Sequence, residues 1–354
     1  MIDEVSGRSD SDQTASAPPP AAHSSRRRFS VFGLLMAVAV PPIAFAAWGV
    51  SAAQFAPDDR LDVDLIRHTT LHVWCITSIA LLAATVLALR RPPAPRRRWI
   101  AVVLLLLPPW VHAAGIATPW RLLPLRHNQT SAPESVVRVL AWNVLSTNPS
   151  HAAVRDAVAR VDADVVALIE CDGPLLQSLE PLRGRYPHWS PDAGGPAQGI
   201  IVFSRVPGIH FRTIPMGSLA AVEATWSTAD GDRKHRVLFV HTTSPRQSPR
   251  IARRGEELAI IGRWAAECSG GPAAVAGDLN TTPYTPVFRE LLRVGGLADT
   301  RAYRGYFASW HAALGDFGIP IDHALVNRHI RLGYRGVAAG EVGSDHRGVV
   351  FELE

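Results

Sequence analysis

Three apolar stretches dominate the first third of the chain, roughly Val31 to Ala53, Thr69 to Leu89 and Trp99 to Ala117. Each approaches the ~20 residues that cross a hydrocarbon core of ~30 Å, and none carries an acidic or basic side chain. They predict transmembrane helices. Pro41-Pro42 and Pro108-Pro109 would break a soluble helix, but a bilayer-spanning one tolerates the kink when neighbours satisfy the freed carbonyls. Residues 1–28, rich in Ser, Ala, Pro and Asp without periodicity, read as a disordered tail. Residues 29–118 form the membrane domain, and 119–135, with prolines and little periodicity, a linker.

From residue 136 the pattern shortens. Val136 to Val144 is a β-branched, largely apolar run ending beside Asn143, and Asp164 to Glu170 is a second, ending on Glu170. Between them Val154, Ala157, Val158 and Val161 recur at helical spacing. Two buried strands around a helix, each delivering an oxygen-bearing side chain at its C-terminal edge, are a common way to build a site on a rigid sheet. Strand-like runs continue at 199–204, 221–226, 236–241, 273–278, 319–326 and 348–353. A helix over Pro249 to Glu267 is expected, with Ser248 as N-cap and Leu258, Ile261 and Ala265 inward. Residues 136–354 thus predict an α/β domain, a two-sheet β-sandwich flanked by helices and preceded by three transmembrane helices.

Charge gives the membrane segments a direction. The pI of about 9.5 suggests a nucleic-acid partner until the charge is placed. From Val136 onward 23 basic residues meet 22 acidic ones, whereas the first 135 positions hold 13 against 9 and supply +4 of the total +5. Arg26 to Arg28 precede the first segment, and Arg90, Arg91 and Arg96 to Arg98 fill the link between the second and third. The loop between the first two carries Asp58, Asp59, Asp62 and Asp64 against Arg60 and Arg67. Arginine-rich loops stay cytoplasmic, so a multi-pass protein of the plasma membrane is expected, with its catalytic domain extracytoplasmic. Ser25 to Phe29 weakly resembles a twin-arginine export signal, but two further spans follow and an uncleaved anchor is expected. Cys75, Cys171 and Cys268 show no metal-knuckle or disulfide-scaffold spacing and read as small buried hydrophobes.

Glu170, Asp278, Asp322 and Asp345 each adjoin a hydrophobic run, where an unpaired carboxylate is costly. Taken singly, each reads more simply as a helix cap or an ion pair. Taken together, a divalent cation is the economical explanation, and oxygen ligands such as Asn143, Glu170 and Asp345 suit Mg²⁺ or Mn²⁺ rather than zinc. His241 and His346 follow a strand or turn, and an imidazole side chain is suited to stabilising a phosphoryl oxygen or protonating a leaving group. His323, inside the apolar strand, reads as a packed residue. Arg205 and Arg246 are candidate phosphate grips. Arg253 and Arg254 precede Glu256 and Glu257 at helical spacing and read as a solvated, ion-paired face.

These segments also resemble, in order, the motifs of the endonuclease/exonuclease/phosphatase superfamily: Leu140 to Val144, Val166 to Glu170, Ile200 to Arg205, Val240 to Thr242, Ala276 to Asn280, Ser309-Trp310, Ile321 to Val326 and Ser344 to Arg347. The resemblance covers Val136 to Glu354 and is nearest to the bacterial membrane-anchored subgroup. It implies that Asn143, Glu170 and Asp345 surround a metal, with Glu170 the principal ligand. It further implies that Asp278 orients or deprotonates water, Asn280 and His241 contact the phosphate, and His346, oriented by Asp322, stabilises the transition state. The expected activity is that of a divalent-metal-dependent phosphodiesterase or nuclease. A sphingomyelinase-like phospholipase C is the alternative, and a catalytically silent membrane scaffold the second. The expected partners are the bilayer and a phosphodiester substrate, nucleic acid or lipid head group; no protein partner is inferable.

Overall fold

The computed structural model describes residues 31–117, 136–191, 199–217, 219–227, 234–302, 304–338 and 342–354. The expected tail and linker lie outside them. The chain divides into two compact units, 1–39 and 40–354; the described part of the first is the beginning of helix α1 (Val31–Ala53). Helices α3 (Thr70–Arg90) and α4 (Pro93–Ala117) follow the other two apolar stretches. Three helices are thus long and apolar enough to cross a membrane. The third begins earlier than its apolar run, so Arg96 to Arg98 ride on α4 rather than in a link. Trp110 Nε1 donates to Ser78 Oγ at 2.7 Å, joining α4 to α3.

An element that hydropathy alone did not predict lies between α1 and α3. Residues 54–60 turn back and lead into helix α2 (Leu61–His68). Arg67, 1% exposed, organises this loop by donating to the carbonyls of Ala53 (2.9 Å) and Ala56 (2.7 Å) and pairing with Asp58.

Downstream the chain folds into two six-stranded sheets. The first runs β11 (Leu332–Val337), β12 (Val349–Leu353), β1 (Val137–Asn143), β2 (Val165–Ile169), β4 (Ile200–Ser204) and β3 (His188–Trp189). The second runs β5 (His210–Met216), β6 (Leu219–Ser227), β7 (Lys234–His241), β8 (Ala273–Asp278), β10 (Asp322–Asn327) and β9 (Leu297–Asp299). Val139, Ala141, Val165 and Ala167 of one sheet meet Val222, Val237, Phe239 and Ala276 of the other in a fully buried interior. Helices α5 (His151–Val161) and α6 (Gly173–Ser178) cover the outer face of the first sheet.

Helices α7 (Ser248–Glu267) and α8 (Pro286–Gly295) cover the second sheet. α7 starts one residue before the expected position: Ser248 is its first residue, and Gln247 is an N-cap without a side-chain hydrogen bond. The expected stripe of Leu258, Ile261 and Ala265 is buried. Leu71 of α3 and Ala117 of α4 join this same outer cluster, with Trp74 and Cys75 packed against it. The start of α3 and the end of α4 therefore abut the sandwich directly. Cys171 and Cys268 are buried.

Candidate active site

Strand direction gathers the polar residues. β1 and β2 are parallel, with Asn143 opposite Ile169, and β7 and β8 are parallel, with His241 opposite Asp278. Both pairs deliver their C-terminal ends to one edge of the sandwich. β10 is antiparallel to β8, so its first residue, Asp322, stands opposite Asp278 at that edge. Gly277 allows the approach of β8 to β7: its φ is +137°, and a Cβ there would lie 2.0 Å from the Val240 carbonyl oxygen.

Asn143, 1% exposed, bridges two acids, its Nδ2 donating to Glu170 Oε1 at 2.9 Å and Asp278 Oδ2 at 3.2 Å. Its Oδ1 accepts the Leu145 N–H at 3.1 Å. Glu170 follows β2 with φ +58°, and its Oε2 accepts from the backbone and hydroxyl of Ser146 at 3.2 and 3.3 Å. His241 Nε2 faces Glu170 Oε1 at 3.7 Å and Asp278 Oδ2 at 3.9 Å. Asn280, φ +47°, donates its backbone N–H to Asp278 Oδ1 at 2.8 Å and its amide to the Thr242 carbonyl at 2.9 Å.

The C-terminal motif closes the ring. Ser344 Oγ donates to the Asn143 carbonyl at 2.7 Å and accepts the His346 N–H at 3.0 Å, fixing the turn against the end of β1. His346 Nδ1 meets Asp322 Oδ2 at 2.9 Å, while its Nε2 lies 3.8 Å from Asp278 Oδ2 and 3.9 Å from Asp345 Oδ1. Trp310 Nε1 donates to Asp345 Oδ2 at 3.0 Å. Asp345 Oδ1 is buried without a hydrogen-bond partner.

Burial and charge set the protonation states. Burial, reinforced by the neighbouring Asp322 charge and opposed by His346 and His241, pushes Asp278 up to about 6. Burial alone would keep His346 neutral, but Asp322 and Asp278 overcome it and raise the imidazole to about 10. Burial likewise opposes ionisation of Asp322, yet the His346 charge and hydrogen bond hold its carboxyl below the usual range. Asp322 and His346 are thus an ion pair at neutral pH, with the cationic ring aimed at Asp278.

Asp278, Asp322 and His346 bring one donor atom each within 4.8 Å of one another, a spacing that also suits a metal. The mutual hydrogen bond and the protonated ring make an acid–imidazolium pair the better description. The oxygen atoms that suit a cation are elsewhere: Asp345 Oδ1, buried and unpartnered, and the Glu170 carboxylate beside Asn143. An unsatisfied buried carboxylate oxygen calls for a positive partner, so this donor set fits a hard divalent ion.

A cavity of about 430 Å³ opens over these groups, with Glu170, His241, Asp278, Asn280, Asp345, His346 and Arg246 on its wall. Arg205 is not among them. β4 runs antiparallel to β2 and pairs its last residue, Ser204, with Val165, so Arg205 emerges at the opposite edge from Glu170. There it pairs with Asp164 at 2.8 Å and with Asp162, which removes it as a phosphate grip. His323 is packed as expected, between Asp299 at 3.5 Å and the Thr281 carbonyl at 2.7 Å.

The cavity also has a wall the sequence did not assign to it: Leu61, Leu65 and His68 of α2. Arg254, read as solvated, is 1% exposed. Its partner is Asp64 of α2, reached at 2.7 Å by Nη2 and 3.1 Å by Nη1, and Nη1 also donates to the Asn280 carbonyl at 2.7 Å. Glu257 is turned away to accept the N–H and hydroxyl of Thr243. The one sequence signal for this contact is the acidic loop itself, Asp58 to Asp64.

The model of the Endonuclease/Exonuclease/phosphatase family matches residues 140–346, more than half of the chain, and the chain belongs to that family. Its members are phosphoric ester hydrolases, and the chain is an enzyme of that class. Similar solved structures include a D. rerio TDP2 humanized by 14 mutations, at 16% identity and a TM-score of 0.52 over 62% of this chain and 99% of that one. A Bacteroides thetaiotaomicron endonuclease/exonuclease/phosphatase family protein gives 16% and 0.50 over 63% and 98%. The human Nocturnin catalytic domain with bound sulfate gives 14% and 0.50 over 62% and 94%. At these identities the likeness is one of fold. No curated protein matches the chain.

Proposed function

We propose that the chain is a membrane-anchored, divalent-metal-dependent phosphodiesterase that hydrolyses phosphodiester bonds outside the cytoplasm. The observation that carries the chemistry is Asp278, a buried carboxylate raised to about 6 between Asn143 and two imidazoles. It is mostly ionised at neutral pH yet basic enough to take a proton from water as the water attacks.

Glu170 and Asp345, beside Asn143, would hold Mg²⁺ or Mn²⁺, and the bound ion would offset charge developing on the phosphate and the departing oxygen. The chain's own groups do the rest. Asp278 orients water and accepts its proton as the water oxygen bonds to phosphorus. Asn280 and His241 position the phosphate, and His241 supplies a proton to the oxygen whose bond to phosphorus breaks. His346, kept cationic by Asp322, faces the charge that accumulates between these events. Arg246, exposed on the cavity wall, is placed to bind a phosphate oxygen from outside. A D. rerio TDP2 has been crystallised with a single-strand DNA product, so a nucleic-acid phosphodiester belongs among the substrates to be tried.

Support for the membrane reading comes from the three long apolar helices and the arginine distribution around them. The full-length chain in detergent is expected to hydrolyse bis(p-nitrophenyl) phosphate with Mg²⁺ or Mn²⁺ and to stop on chelation; activity indifferent to EDTA would refute the metal assignment. Alkaline phosphatase fused after Glu354 should be active in cells, since it works only outside the cytoplasm. An inactive fusion of normal abundance reverses the topology.

A further inference from the structure

The loop between the first two spans does more than cross from one to the other. α2 lies against the catalytic domain with Leu61, Leu65 and His68 on the wall of the active-site cavity. The Asp64–Arg254 pair anchors it, and His68 adds Nδ1 to Thr282 Oγ1 at 2.9 Å and Nε2 to Asp64 Oδ2 at 3.3 Å. Both ends of the Asp64–Arg254 contact are nearly inaccessible to water, so the docking is part of the fold. Leu65, by contrast, is 53% exposed: it contributes little to that docking while presenting an apolar surface to the cavity.

The second candidate span begins where this wall ends. Thr69 alone separates α2 from α3, the second candidate span. Across the cavity Trp310 forms part of the wall, and the segment just after it, Ala312–Phe317, returns to the top of that span, where His72 Nε2 meets the Phe317 carbonyl at 2.9 Å. This segment exposes Leu314 (56%) and Phe317 (82%). Large apolar side chains beside a span end are matched to the acyl boundary of a bilayer.

Resting on the hydrolase reading above, we infer that α2 is the specificity wall of this enzyme and that the substrate is a bilayer-borne lipid phosphodiester, its apolar body lying against Leu61 and Leu65 with the phosphate on the acidic edge. Charge favours this over a nucleic acid. Asp58, Asp62 and Asp64 of the 54–69 loop are each ion-paired, to Arg67, Arg60 and Arg254, so among the described residues the loop offers an extended polyanion no free cation beyond the cavity. A single phosphate needs only one arginine, and among the described residues Arg246 is the one on the cavity wall. The reaction is hydrolysis: the water oxygen bonds to phosphorus, one ester P–O bond breaks, and the proton lost by water is balanced by the one gained by the departing oxygen.

The test uses the full chain in proteoliposomes with Mg²⁺, given phosphatidylcholine, phosphatidylglycerol or sphingomyelin in the same vesicles, single-stranded DNA, and bis(p-nitrophenyl) phosphate as a soluble reference. At least one lipid is expected to turn over ten times faster than DNA at equal phosphodiester concentration. Leu65→Arg should lower the lipid-to-reference activity ratio at least tenfold through KM, and Leu65→Met should restore it. Hydrolysis of the reference with no lipid turned over, or DNA preferred to every lipid, overturns this inference alone. A Leu65→Arg loss shared equally by lipid and reference shows a structural role and overturns it too. Absence of any hydrolysis brings down the phosphodiesterase reading as well.

Discussion

Removing Asp64 should cost the protein more than any other change in the inter-span loop. Arg254 is 1% exposed, and its charge is met by Asp64 through two hydrogen bonds, with the Asn280 carbonyl taking a third. Asp64→Ala leaves a buried guanidinium facing an empty space, a loss of about 3–5 kcal/mol for breaking one side of such a pair. At roughly 2–4 °C per kcal/mol for domains of this size, the melting temperature should fall by about 6–20 °C. The loss has a ceiling: once α2 lifts away and water reaches Arg254, nothing further is lost, and the freed loop becomes cleavable by trypsin at Arg60 and Arg67. Replacing both partners by leucine leaves no stranded charge and should recover most of the stability. Thermal unfolding of the full chain in detergent, run as a double-mutant cycle with limited trypsinolysis beside it, measures the coupling. Both single variants melting within about 1 °C of the parent, with trypsin sensitivity unchanged, would show that the pair does not form and that α2 is not docked.

Asp278→Asn keeps the shape of the site but removes the base, and kcat should fall by roughly 10²–10⁴, the range for general-base catalysis. In the parent, kcat/KM should rise with pH through about 6 as Asp278 loses its proton; a profile flat from pH 5 to 8 contradicts that assignment. Asp64 is buried, which opposes its ionisation, but His68 and Arg254 prevail and hold it below the usual carboxylate range. Its stabilisation is therefore complete above the unfolded value of ~3.9 and lost as pH falls below it, so trypsin sensitivity of the loop should appear only under that pH. Gly277→Ala puts a Cβ 2.0 Å from the Val240 carbonyl oxygen at φ +137°; the strands must part, and circular dichroism melting should show a loss larger than for Gly208→Ala, where no atom lies within 4 Å of the added carbon.

The parts of the site that were legible in the sequence are those governed by local rules. Runs of five to eight residues that end on Asn143, His241 and Asp278, or just before Glu170, are strands, and hydrophobic periodicity reads that much directly. Direction is harder. Arg205 follows a strand as closely as Glu170 does, but β4 runs against β2, and a side chain just past a strand lies on opposite edges according to a pairing that only the folded sheet decides. Asp322 is the converse: it precedes its strand, and antiparallel pairing with β8 carries it to the same edge as Asp278. No helical spacing could pair Arg254 with a residue 190 positions away, so the glutamates beside it were the natural partners until burial excluded them.

The acidic loop between α1 and α3 shows how one sequence feature can support one inference and conceal another. Orientation is read from the arginines near the ends of the apolar segments, and for that purpose Asp58, Asp59, Asp62 and Asp64 are interchangeable bystanders. Folding distinguishes them: Asp58 is consumed by Arg67 within the loop, Asp62 by Arg60 at the surface, and Asp64 by Arg254 in the interior of the catalytic domain. Only the last links the membrane region to catalysis, because Arg254 also holds the carbonyl of Asn280, two residues from Asp278. A connection between two apolar helices that also walls the cavity is constrained in length and position. The sixteen-residue stretch 54–69 joins the first two apolar helices and lines the cavity, and a fragment beginning at the linker would retain the acids and histidines while lacking one wall of the site they serve.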